Sequence, residues 1–198
     1  MSDVNATVFV LLKLFGTVGA FGMSILSFLG LYDQKRKIFT DQTAKNLSPS
    51  MFATLAAVFF TGALFALVCE KPLMFLANLA RLPLALLIVA GILRYESVGK
   101  RFCLLVIGLC GLSCVSIASD SLWRERISLI SGVIAMLFAV EQIWSIVREK
   151  NAGELSFALT ISQFLGSVFW MLYLLDKSRY VVACCALNVM IAATMVGV

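Results

Sequence analysis

Histidine is missing from the 198 residues, and charged residues make up only 14% of them. The first absence removes the commonest metal ligand and the usual acid–base residue. The second comes with 61% hydrophobic residues and a mean hydropathy of +0.99. A soluble domain of this size does not carry so much apolar surface, which leaves no room for a soluble catalytic domain. There is no Gly-rich phosphate loop, no Ser–His constellation and no metal-ligand cluster in the sequence. An enzyme, a metal site and a cofactor are therefore not expected. The six cysteines, at 69, 103, 110, 114, 184 and 185, form no Cys-x-x-Cys pair and read as small apolar filler. The net charge of +5 sits mostly in loops, where it signals topology and needs no nucleic acid to explain it.

What is present is a succession of apolar runs long enough for a bilayer core about 30 Å thick. Seven segments are predicted, at about 8–32, 50–69, 72–93, 102–119, 127–147, 157–175 and 180–197. The expected fold class is an all-α membrane protein. Glycines 16, 19 and 22 lie near one face of the first segment and predict close approach of another helix backbone. A polar stretch is expected from Tyr32 to Ser50, and Ser48-Pro49 is a good helix start. Segments two and three are joined only through Glu70-Lys71-Pro72, so they are expected to form a tight antiparallel pair.

An internal repeat organises the chain. Asp33-Gln34 precedes Leu47-Ser48 by the spacing with which Glu141-Gln142 precedes Leu155-Ser156, 108 residues later. The fourth segment has no counterpart in either repeat. Three helices reverse the chain, so one more helix is needed to give both repeats the same orientation. The expected layout is two parallel triple-helix bundles, residues 1–95 and 123–198, joined by a linker helix at 96–122 (3+1+3). Loops after segments one, three and five hold nine Lys and Arg, against five in the alternate loops. The positive-inside rule then puts the amino terminus outside and the carboxyl terminus in the cytosol.

Few polar residues fall inside the runs. Asp33 and Glu141 occupy equivalent places near the inner ends of segments one and five. They read either as interfacial acids balancing nearby Lys and Arg, or as carboxylates at an inner gate that bind a proton or a cationic solute. Arg81 lies near mid-membrane, one turn after Asn78, where it cannot easily snorkel. It reads either as one half of an ion pair or as a counter-charge for an anionic group on a substrate. Gly166, Trp170 and Tyr173 share a face of segment six. They read either as an aromatic packed at the interface or as a wall on which a ring-shaped ligand stacks. Asn188 is an isolated amide in segment seven, and Asn78 is its approximate repeat mate. Two such amides suit a central binding cavity, or simply hydrogen bonds between helices.

Taken together, these residues resemble the PQ-loop repeat of the SWEET and SemiSWEET sugar transporters and of PQ-loop lysosomal amino-acid transporters. That pattern has Pro-Gln near a helix end, a basic loop closing on Leu-Ser, then Trp-x-x-Tyr, then Asn in the third helix. Here it reads Glu141-Gln142, 150–156 ending in Leu155-Ser156, Trp170-Met171-Leu172-Tyr173 and Asn188. The first repeat keeps Gln34, Leu47-Ser48 and Asn78. The resemblance implies a mid-membrane pocket walled by Asn78, Asn188 and Trp170. A further wall position, one turn before the Trp, falls on Gly166 and, in the first half, on Val58. It also implies gating near Gln34 and Gln142, alongside Asp33 and Glu141.

This chain departs from that pattern in three places. Both Pro-Gln pairs carry an acid in place of proline, so Gly30 has to supply the gating flexibility that the resemblance assigns to proline. The first-half Trp position aligns with Gly62. Arg81 has no place in the pattern. The expected function is alternating-access transport of a small polar solute, with sugar as the leading class by resemblance. Asp33, Glu141 and Arg81 also suit a proton-coupled amino-acid carrier, and a receptor of the same fold that binds without transport is the reading from another class. Membrane lipid is the expected surrounding. Seven helices suffice for one pocket in a monomer, so homo-oligomerisation stays open.

Overall fold

In a computed structural model, residues 3–44, 47, 49–68, 70–95 and 157–173 are described, with isolated positions at 108, 140, 144, 147, 148, 186 and 190. The described elements are all helical: α1 (Asp3–Asp41), α2 (Pro49–Val68), α3 (Pro72–Tyr95) and α4 (Phe157–Tyr173), which is the sixth predicted segment. The first three are long and apolar enough to cross a membrane. Apart from those isolated positions, the segments predicted at 102–119, 127–147 and 180–197 lie outside the described residues.

Helix α1 corrects the expected polar stretch at 32–50. Its 39 residues span about 58 Å at 1.5 Å per residue, far more than a bilayer core. The extension survives its charges because one face stays apolar or packed: Leu31, Gln34 and Ile38 are all fully buried. On the wet face, Lys37 pairs with Asp33 at 3.3 Å, one turn apart. Near the end, Phe39 meets Tyr95 edge-on at 6.2 Å. Gln42 then adopts the left-handed conformation (φ 52°), the usual way to end a helix.

The return to α2 is short. The Leu47 N–H donates to the Ala44 carbonyl at 3.1 Å, and both side chains are buried. Pro49 opens α2 as expected. At the far end, Glu70 takes φ 53°, and the Lys71 N–H returns to the Ala66 carbonyl at 2.8 Å. That turn folds α3 back against α2. Pro83 sits inside α3, where it removes one backbone donor; membrane helices tolerate this when neighbours satisfy the backbone.

The spatial order differs from the chain order. Helix α3 packs between α1 and α2, and α4 packs on the other side of α1. The shared core joins Leu31 and Ile38 of α1, Phe52, Ala56 and Phe59 of α2, Ala85, Ile88 and Ile92 of α3, and Leu159 of α4.

The α1–α4 pair is antiparallel and very close. A Cβ at Gly16 would lie 2.7 Å from the Tyr173 nitrogen, and one at Gly30 would lie 2.7 Å from the Leu159 nitrogen. Between them, Met23 faces Gly166. Residues 16, 23 and 30 thus meet 173, 166 and 159, a seven-residue repeat on both helices. Small residues permit this approach. The expectation from the glycine spacing holds at Gly16, and at Gly19, which seats the Phe169 ring. Gly22 faces open space and takes no part.

Candidate functional site

Arg81 is carried nine residues into α3, about 14 Å along the helix axis. Its residue is only 8% exposed. Three neighbours hold it. The Nε–H donates to the Ala77 carbonyl at 2.8 Å. The Nη2–H donates to Asn78 Oδ1 at 3.0 Å. The guanidinium carbon stands 4.6 Å from the centre of the Phe59 ring on α2. Arginine only donates, so it also fixes which end of the Asn78 amide is oxygen.

The opposite end of that amide explains a departure from the repeat pattern. A Cβ at Gly62 would lie 2.8 Å from Asn78 Nδ2. Glycine at 62, where the second repeat has Trp170, clears the space into which Asn78 fits. Phe59, Asn78 and Arg81 thus cluster beside the position where the second repeat has an indole.

Placing arginine at the centre of a bilayer costs about 2.5–3.5 kcal/mol on insertion scales. A desolvated cation–π contact returns about 2 kcal/mol, and a hydrogen bond to a charged group returns about 1.5–3 kcal/mol. The contacts are of the size needed to hold the side chain. They do not cancel its charge, and no carboxylate among the described residues pairs with it.

The other predicted site residues divide into three groups. Asn78 and Arg81 come together as just described, and Val58 lies half-buried one residue before Phe59. On α4, Trp170 meets Tyr173 edge-on, with ring centres 5.4 Å apart. Gly166 faces α1, where an added Cβ would stand 3.6 Å from Met23 Cβ. Helix α4 packs on α1 and its backbone makes no close approach to α2 or α3. At the far end of α1, Gln34 is fully buried, while Asp33 and Lys37 are 39% and 40% exposed. Glu141, Gln142 and Asn188 lie outside the described residues.

Sequence reasoning missed Phe59 and the role of Gly62. The available signal was their spacing, one turn apart on α2, but nothing in it points toward α3. A separate groove of about 270 Å³ lies between α1 and α3, lined by Phe21, Phe28, Leu73 and Leu76 among others. Its hydroxyl, Ser24, already donates to the Ala20 carbonyl at 2.7 Å, so the groove offers a polar solute little.

Residues 126–196 match the profile of a family described as a sugar efflux transporter for intercellular exchange (MtN3/saliva). That stretch is 71 of the 198 residues, and the family is what this part of the chain is similar to. The overall fold of the chain is that of the 3.7 Å structure of a eukaryotic SWEET transporter, with TM-score 0.66, 16% identity, and 96% of each chain covered. Compared with curated proteins, the sequence shows no significant match. With three described helices long and apolar enough to cross a membrane, the chain is an integral, multi-pass membrane protein.

Proposed function

We propose that the chain transports a small polar solute, with sugar as the leading class, by alternating access between two triple-helix repeats. The observation that carries this reading is the match of residues 126–196 to the sugar efflux family, and the SWEET fold supports it. In the proposed layout, residues 1–95 and 123–198 form the repeats, 96–122 the linker helix, and the amino terminus lies outside. Asn78, Val58, Gly166, Trp170 and Asn188 wall the pocket. Asp33-Gln34 and Glu141-Gln142 lie at the inner gate. The tight α1–α4 pair supports the mechanism, because in this layout one antiparallel seam would join the two repeats. Rocking of one repeat against the other must act on that seam.

Asp33 is ion-paired with Lys37 and part-exposed. This supports an interfacial charge balance more than proton uptake, so a carrier without proton coupling is the favoured form. The test is uptake into proteoliposomes from a panel of sugars and amino acids, with and without a pH gradient. Saturable sugar flux that ignores the gradient is expected. Saturable binding with no flux of any solute would sink the transporter reading in favour of a receptor. Gradient-driven flux of an amino acid would establish the proton-coupled alternative.

A further inference from the structure

A guanidinium has five N–H donors. At Arg81 one goes to the Ala77 carbonyl and one to Asn78 Oδ1. The remaining donors have no partner among the described residues, although the side chain is buried. The group is also not free to turn. Phe59 covers one face, Asn78 grips one corner, and Gly62 lets Asn78 sit deep enough to do so. A fixed fork of donors whose positive charge meets no carboxylate among the described residues is preorganised for a planar two-oxygen anion. One arginine balances a single negative charge, which favours a carboxylate over a phosphate dianion.

We infer that the transported solute carries a carboxylate, on a sugar-sized polyhydroxylated body, and that the free edge of Arg81 receives it. The polyhydroxylated body rests on the proposed sugar transport; the carboxylate rests on the Arg81 geometry alone. Arg81 is then a residue that selects for an acid sugar over a neutral one. It replaces the stacking surface that an aromatic residue at 62 would supply.

Proteoliposomes with D-glucuronate, D-glucose and lactate as separate probes test this. Glucuronate uptake is expected to exceed glucose uptake by about tenfold or more, and an inside-positive potential should accelerate it, because an anion moves. Arg81→Gln should lower the glucuronate-to-glucose flux ratio by about tenfold, and Arg81→Lys should restore part of it. Elution of the variants as monodisperse species in detergent checks that they fold. Thermal shift of the purified wild-type protein gives a second readout: glucuronate should raise the melting midpoint where glucose does not. Glucose carried as well as glucuronate, with no charge movement, overturns the inference and leaves the proposed sugar transport standing. Lactate carried in place of glucuronate overturns the sugar body. If neither sugar is carried, sugar transport fails. In that case a glucuronate-specific thermal shift still upholds the anion site, and its absence overturns it.

Discussion

Arg81 keeps its place through two groups on its own helix and one ring on the next. The side chain reaches back one turn to the Ala77 carbonyl and the Asn78 amide, and Phe59 arrives from α2. The weak point is Gly62. An alanine methyl there would meet Asn78 Nδ2 at 2.8 Å, so the Asn78 amide that holds Arg81 must shift. Gly62→Ala should therefore destabilise the protein by about 1–3 kcal/mol, the usual size for overpacking, read as a lower melting midpoint in detergent. At an ordinary helical glycine the same change gains stability, so the sign of the shift is diagnostic. The presence of Arg81 and Asn78 on one helix face was legible from their three-residue spacing. Its partners were not, because among the described residues they are an aromatic face and an amide, not the carboxylate that a membrane arginine usually implies.

The helices themselves were readable as elements, and their lengths less so. Starts at Pro49 and Pro72 and the turn at Glu70-Lys71 follow from local chemistry. The extra turns of α1 do not, since they depend on Ile38 and Phe39 packing against Gly91 and Tyr95 of α3. Along the α1–α4 seam, three glycines of α1 face two kinds of surroundings. Gly16→Ala and Gly30→Ala would each drive a methyl to 2.7 Å from a backbone nitrogen, which cannot rotate away. Each should cost about 1–3 kcal/mol. Gly22→Ala meets nothing within 4 Å and should gain about 0.5–1 kcal/mol from helix propensity. Melting midpoints of the three variants, measured side by side, check the opposite signs.

Across the molecule, the proposed layout assigns α1 to one repeat and α4 to the other, so under that proposal their contact is where relative motion would appear. The Cβ of Met23 and an added Cβ on Gly166 are 3.6 Å apart, inside the range of about 3.5–4.5 Å that a disulfide spans. In a background without the six native cysteines, the double variant Met23→Cys, Gly166→Cys should cross-link on oxidation. Mass spectrometry of the digested protein would detect the bond. If the repeats rock against each other, cross-linking should cut solute uptake by about tenfold, and reduction should restore it. Full uptake in the cross-linked protein would place the motion elsewhere. A failure to cross-link would contradict the antiparallel register.

By itself the sequence determined that this is a helical membrane protein with a repeated unit. Apolar run length, turn residues and the motif from Glu141-Gln142 to Trp170 are local quantities, and local quantities survive without a fold. It also singled out Arg81, since a charge inside an apolar run is conspicuous in one dimension. Only the tertiary structure decided that Arg81 rests on Phe59, that Gly62 makes room for Asn78, and that Gly166 looks toward Met23 of α1. Those are contacts between helices whose relative rotation and depth are set by side-chain packing, and no spacing within a single helix encodes them.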